Sequence, residues 1–294
     1  METLQHCPAC GSTNFEKQFE AKDYTVSQNS FGIMACSDCG LNFTNPRPKS
    51  DEAGYFYKSD TYISHSDTQQ GLVNKLYHAV RNITLKQKAG WIQADQKGNK
   101  NLLDIGCGNG HFLKTCQDAG WNITGMELDP ETAARAAALV QDKIYPNLAA
   151  IPKDKQFELI TLWHVLEHVY ELDAYFEFFK KRISADGKLL LALPNSKSFD
   201  AGYFKKYWAA YDVPRHIYHF NPETIQFVAI KHGFKLVKQR GQIFDSFYIA
   251  LLSNQYRSGS KRLIHSFLLG LWSNILASTK TGNYSSNVYI FKHV

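Results

Sequence analysis

The stretch Leu102-Leu103-Asp104-Ile105-Gly106-Cys107-Gly108-Asn109-Gly110-His111-Phe112-Leu113 constrains the fold of this chain more than any other. An apolar run of strand length meets three glycines within five positions, and an amphipathic helix starts at once. Glycines so placed admit positive φ and let backbone N–H groups come close to a ligand. The surroundings repeat the alternation. Asn101–Ile105, Trp121–Met126, Phe157–Trp163 and Lys188–Leu193 read as strands. His111–Ala119, Pro130–Val140 and Leu172–Ile183 read as helices between them. Alternating strands and helices imply an α/β fold, a mostly parallel sheet with helices on both faces. Ligands then bind beyond the carboxyl ends of the strands. Asp104 sits at such an end.

The turn departs from the dinucleotide fingerprint G-x-G-x-x-G, because His111 stands where the third glycine belongs and an aspartate precedes the turn. Glu127 lies 21 residues after Gly106, at the end of the next strand. A carboxylate there can accept hydrogen bonds from both hydroxyls of a ribose, a device shared by several nucleotide-binding folds. A plain βα connection seldom needs so many glycines.

The glycine turn with its preceding Asp104 resembles motif I of the class I S-adenosylmethionine (SAM)-dependent methyltransferases. Over about residues 100 to 240 the resemblance is to the ubiquinone-biosynthesis-type group. Trp163-His164-Val165-Leu166-Glu167-His168-Val169 is similar to the segment after the fourth strand, and Lys188–Asn195 to the fifth strand. Asp212-Val213-Pro214-Arg215-His216 with His219-Phe220 is similar to the flap beside the acceptor pocket. The resemblance implies a Rossmann-like seven-stranded sheet whose last strand, Asn287–His293, runs reversed. It implies SAM as methyl donor, held by Asp104, Gly106, Cys107, Gly108, Asn109, Gly110, Glu127, Leu128, Trp163 and His164, with Trp163 packing on it. His168, Asp212 and His216 are the candidates for removing a proton from the acceptor. His168 reads more readily as a structural histidine bonded to the backbone, and His216 could equally serve only to position the flap. His164-x-x-Glu167-His168 also matches the inverted zinc-protease pattern. It begins at the end of a buried strand, and so short a pattern arises readily by chance; catalytic zinc is set aside there.

Four of the six cysteines form two pairs, Cys7/Cys10 and Cys36/Cys39, each C-x-x-C followed by glycine. Met1–Cys10 has no basic n-region or apolar run, and no window reaches the ~18 apolar residues of a membrane span. The expectation is a cytoplasmic chain, where paired cysteines are metal ligands more often than disulfides. Two knuckles 25 residues apart complete a tetrahedral sulfur site suited to structural zinc. Cys107 and Cys116 read as small buried residues.

These features divide the chain into a zinc-ribbon-like module at 1–49, a helical connector at 50–99 contributing to the pocket, and a methyltransferase domain at 100–294. The domain carries a looser flap at 195–221 and a helical insertion at 243–282. The connector contains Tyr55, Phe56, Tyr57, Tyr62 and a helix from about Leu72 to Ile92, its apolar stripe at Leu72, Leu76, Val80, Ile83 and Leu85. In the insertion, Leu263, Ile264, Phe267, Leu268, Leu271, Trp272, Ile275 and Leu276 form one apolar helix face, with Lys261 and Arg262 at its start. That face reads as packed on the domain or capping the acceptor pocket; the sharper alternative is peripheral contact with lipid.

Composition is ordinary for a globular chain, 44% hydrophobic and 20% charged, with a formal charge of +6. The basic residues are scattered, which favours a small-molecule, lipid-linked or glycan-type acceptor. RNA gripped by the zinc module is the alternative, and a SAM-binding protein without catalysis a third. Against RNA, neither knuckle is rich in Lys or Arg, and Leu193-Pro194-Asn195 lacks the N-P-P-aromatic motif of nucleobase amino methyltransferases.

Overall fold

The computed structural model describes residues 1–58, 72–93 and 99–294, with the backbone alone for 72–82. Tyr62 and the side chains of Leu72, Leu76 and Val80 therefore lie outside the described residues. In chain order the elements are β1 (Phe15–Lys22), β2 (Ser30–Cys36), β3 (Asn42–Thr44), α1 (Leu72–Gln93), β4 (Asn101–Ile105), α2 (His111–Asp118), β5 (Asn122–Met126), α3 (Pro130–Val140) and β6 (Ile144–Tyr145). There follow β7 (Phe157–Trp163), α4 (Leu172–Arg182), β8 (Ile183–Pro194), α5 (Phe199–Phe204), β9 (Tyr218–His219), α6 (Pro222–Lys231), β10 (Phe234–Gly241), α7 (Asp245–Ser258), α8 (Leu263–Leu276) and β11 (Ser286–His293).

Seven strands form one sheet in the order β10-β11-β8-β7-β4-β5-β6. β6, β5, β4, β7 and β8 run parallel, and β11 alone is reversed, antiparallel to both β8 and β10. The central strands read as unbroken apolar runs because both faces are covered. Leu103, Leu189, Leu191 and Leu193 join Phe176 and Phe179 of α4 and Ile225 and Val228 of α6 in one buried cluster. Their neighbours Leu102, Leu190 and Ala192 join Phe112 and Leu113 of α2, Ala136 of α3 and Ile92 of α1 in another. Helix starts follow local chemistry. Asp129 caps α3 by accepting from Thr132 N, with Pro130 in the first turn. Asn221 and Thr224 form a reciprocal capping box on α6.

Three features differ from the sequence reading. In α1 the inward residues are Ala89 and Ile92, while Ile83 is 55% exposed, so the apolar stripe turns away from that position. The segment 195–221 is not loose. Phe204, Trp208, Tyr211, Val213, Arg215, Ile217 and Phe220 are all buried. Trp208 Nε1 donates to Asp200 Oδ2 at 2.8 Å, and Ser273 and Ser285 hydroxyls donate to Asp200 Oδ1. The cysteine module is also joined to the flap. Its sheet, β1-β2-β3, gains β9 as a fourth strand through the pairs Asn42–His219 and Phe43–Tyr218. Cys7, Leu41 and Phe43 share a cluster with Ile217, Tyr218 and Phe220.

Candidate functional site

The glycine turn links β4 to α2 with all three glycines at positive φ: 69°, 54° and 79° for Gly106, Gly108 and Gly110. A Cβ at Gly106 would meet Val165 at 2.5 Å, and one at Gly110 would meet Ala136 at 3.1 Å. Those two glycines let the turn pack against neighbouring elements. A Cβ at Gly108 would meet nothing within 4 Å, so the chain opens there onto free space. Glu127, at the end of β5, faces that opening. Its Oε2 accepts from Gly108 N at 3.0 Å and its Oε1 from Asp129 N at 3.1 Å. Each oxygen keeps a further lone pair for a ligand hydroxyl. Asn109 Oδ1 accepts from Arg135 Nε at 3.0 Å, which ties the turn to α3. Leu128 is 67% exposed beside Glu127. Cys107 is buried behind the turn, and burial pushes its thiol pKa up.

Strand register sets the state of Asp104. It lies opposite Thr161 of β7, whose hydroxyl donates to Asp104 Oδ1 at 2.6 Å. Asp104 is 1% exposed. Burial raises its pKa to about 7, against the opposing effects of the Thr161 bond and the Lys88 charge. Lys88, on α1, was not singled out from sequence. Its ammonium stands 4.0 Å above the Trp163 ring, and burial lowers its pKa. Trp163 closes β7, with Phe112 edge-on to it at 5.1 Å, and its Nε1 is buried without a hydrogen-bond partner among the described residues.

His164 takes φ +58°, a left-handed turn for a residue with a Cβ. The turn aims its ring between two carboxylates: Nε2 lies 3.3 Å from Asp245 Oδ2 and Nδ1 3.5 Å from Glu167 Oε1. Burial opposes charge on this ring, but Asp245 and Glu167 outweigh it and raise the pKa to about 9. Gln242's amide lies 2.9 Å from the same Nε2. His164 and His168 thus do not form the paired helix face that the H-x-x-E-H pattern suggests.

His216 takes that place beside His168. The two rings meet at 4.6 Å, edge to face. His168 Nδ1 lies 3.0 Å from the Arg215 carbonyl and 2.9 Å from Tyr57 Oη, and His216 Nδ1 lies 2.9 Å from the Ala210 carbonyl. Carbonyls accept only, so both Nδ1 atoms carry a proton, and both Nε2 atoms are left to face other groups. Glu167 is 1% exposed, and among the described residues its carboxylate has the His164 ring at 3.5 Å but no closer hydrogen-bond partner. Glu167, His168 and His216 bring ligand atoms within 4.8 Å of one another, room for a shared proton or a divalent cation. Burial and the neighbouring His216 lower the His168 pKa to about 4, so its ring is neutral. Asp212 is committed elsewhere. Both its oxygens accept from Arg215, and this pairing holds its carboxyl below the usual range against the opposing effect of burial. Arg215 itself is fully buried, reaching Asp23 Oδ1 at 3.3 Å, Thr25 Oγ1 at 3.1 Å and the Phe56 carbonyl at 3.0 Å.

The four cysteines of the N-terminal module meet. Cys7 and Cys39 Sγ are 3.6 Å apart, as are Cys10 and Cys36 Sγ, and all four lie within 4.8 Å. A tetrahedral zinc with ~2.3 Å bonds separates its sulfurs by about 3.8 Å. Gly11 and Gly40, at φ +78° and +75°, close the two knuckles, donating to the Cys7 and Cys36 carbonyls. Burial raises the Cys7 thiol to about 11. A bound cation reverses that preference, because a coordinating thiol is deprotonated.

A family profile described as a methyltransferase domain matches residues 78–239. The chain belongs to the methyltransferase domain family. Among curated proteins, the ubiquinone biosynthesis O-methyltransferase of Bordetella parapertussis is 30% identical over 106 residues, 32% of this chain and 42% of that protein. The enzyme of the same name from Hydrogenovibrio crunogenus is 34% identical over 79 residues, 24% of this chain and 33% of that protein. The chain thus spans less than half the length of these curated relatives. The methyltransferase fold recurs in the magnesium protoporphyrin IX methyltransferase of Synechocystis PCC 6803, solved with bound SAH. Its TM-score is 0.52 at 16% identity, covering 79% of this chain and 91% of that one.

Proposed function

We propose that this chain is a SAM-dependent methyltransferase acting on a small-molecule, lipid-linked or glycan-type acceptor. The observation that carries this is the open space over Gly108 beside the Glu127 carboxylate. A ribose fits there with its hydroxyls donating to Glu127. Gly106, Cys107, Asn109 and Gly110 frame the turn, Leu128 covers the rim, and Trp163 and His164 wall the opposite side. Asp104 offers a carboxylate to the cationic amino-acid end. When bound, SAM supplies a methyl group on a sulfonium that is already an activated leaving group. The protein's share is alignment and exclusion of water.

His168 and His216, with Glu167 behind them, are the side chains placed to take a proton from an acceptor hydroxyl. Asp212, locked to Arg215, is a positioning residue for His216. Structural zinc on Cys7, Cys10, Cys36 and Cys39 braces the module. Because β3 of that module pairs with β9, its task is to hold the flap residues in place. The test uses labelled SAM, extract from cells lacking the enzyme, and ribonuclease treatment. Label in a nuclease-resistant small-molecule or lipid fraction is expected. Label that ribonuclease removes would overturn the acceptor class.

A further inference from the structure

The hairpin of α7 and α8 is built inside out for a water-facing element. α8 buries Ser266, Leu269, Gly270, Ser273 and Asn274. Against it α7 buries Ser246, Ile249, Ala250, Ser253 and Asn254. Its centre is made by small residues and side-chain hydrogen bonds, with Phe247 of α7 stacked on Phe267 of α8 at 5.3 Å. Asn254 Nδ2 donates to Ser266 Oγ and Asn274 Nδ2 to Ser246 Oγ, both at 2.8 Å. Gly270 is the closest approach, where a Cβ would meet Phe247 at 2.8 Å. This is the interface chemistry of helices that find no hydrophobic drive toward each other because their surroundings are apolar.

The large apolar side chains point away from the protein. Leu263, Ile264, Phe267, Leu268, Leu271, Trp272 and Ile275 are each between 41% and 79% exposed. At ~100° per residue they cover about half the helix circumference. The sequence reading that packs this face on the domain is therefore corrected; the buried face is the polar one. Charge supports one occupant. From Ser246 to Val294 the chain has no Asp or Glu, while Arg257, Lys261, Arg262 and Lys280 flank the apolar face. No described helix is long and apolar enough to cross a membrane. At about 1.5 Å per residue, α8 is roughly 20 Å long, enough to lie within an interface but too short to span it.

We infer that the α7–α8 hairpin is an in-plane docking element for an anionic lipid surface, with α8 embedded and the flanking cations on the headgroups. The hairpin is rooted on the candidate site. Asp245, its first residue, contacts His164, and Asn274 near the end of α8 donates to the Ile243 carbonyl at 2.9 Å. Docking therefore sets the site beside the bilayer and narrows the acceptor to an amphiphile held there. That consequence rests on the transferase reading; the docking does not.

The test is flotation of the full chain with vesicles of phosphatidylcholine, with and without phosphatidylglycerol, in the absence of SAM. Binding to the anionic vesicles, weakened by salt, is expected. The exposed pair Ile264→Ser/Trp272→Ser is expected to reduce it at least about tenfold with an unchanged thermal melt. Lys261→Glu/Arg262→Glu is expected to lose about fivefold or more on anionic vesicles only. A chain that stays in the aqueous fraction, or an Ile264/Trp272 variant that floats like the wild type, overturns the inference. So does a dimer in sedimentation velocity that Leu268→Asp dissolves while no vesicle binding is seen, which would assign the face to a second copy. SAM binding, measured separately, is untouched by either result.

Discussion

At Asp104 burial moves a carboxylate's titration into the neutral range. Its folded-state pKa, about 7, stands above the ordinary carboxylate value near 4. The native state therefore binds its proton more tightly than the unfolded chain. The resulting stability is present below about pH 4 and is lost as pH rises through about 7. Asp104→Asn removes that loss. Denaturant unfolding should show the variant gaining on the wild type by about 2–4 kcal/mol between pH 4 and 8. A difference that does not change with pH would remove the assignment. Arg215 makes the opposite case. Its guanidinium is buried between Asp23 and Asp212, and Asp23 also accepts from the backbone of Thr25, Val26 and Ser27. Arg215→Ala leaves a buried carboxylate without its cation. A loss of about 3–5 kcal/mol in equilibrium unfolding is expected; a loss under about 1 kcal/mol would show that water replaces the pair.

At the scale of elements, the cysteine knuckles, β3 and β9 act as one unit. Cys36→Ser is expected to abolish bound zinc by elemental analysis and to speed hydrogen exchange at Tyr218 and His219, the residues of β9. One zinc per chain retained in the variant would show that the knuckles are not the site. Much of this level was legible in the sequence. The helices Pro130–Val140 and Pro222–Lys231 carry proline starts and capping side chains, so their bounds are local facts. The glycine turn was legible because only glycine fits at Gly106 and Gly110 against Val165 and Ala136. What was not legible depends on partners distant in sequence. The β3–β9 pairing joins residues 42–43 to 218–219 and is extended by Thr44, which donates to the Ile217 and His216 carbonyls. The Arg215–Asp23 pair and the Tyr57–His168 contact are equally non-local. Lys88 escaped notice because a lysine in an amphipathic helix normally faces water. On α8 the periodicity was read correctly, but a hydrophobic pattern does not say whether its apolar face meets the core or the surroundings.

The whole molecule brings three parts to one place. The parallel sheet presents the glycine turn, Asp104, Glu127 and Trp163 at the ends of its strands. The cysteine module and flap hold His216 against His168 through Arg215. The α7–α8 hairpin reaches the same place through Asp245 and His164 and carries an apolar face outward. These parts share buried clusters and hydrogen bonds, so loosening one should be felt at the others. The account depends first on the turn and Glu127 holding SAM. Titration calorimetry of SAM into the wild-type chain and into Glu127→Ala tests this most directly. The account predicts saturable binding to the wild type, weakened on the order of tenfold or more in the variant, which lacks the carboxylate proposed to accept from the ribose. No saturable binding by the wild type, or equal affinity in the two proteins, would contradict it.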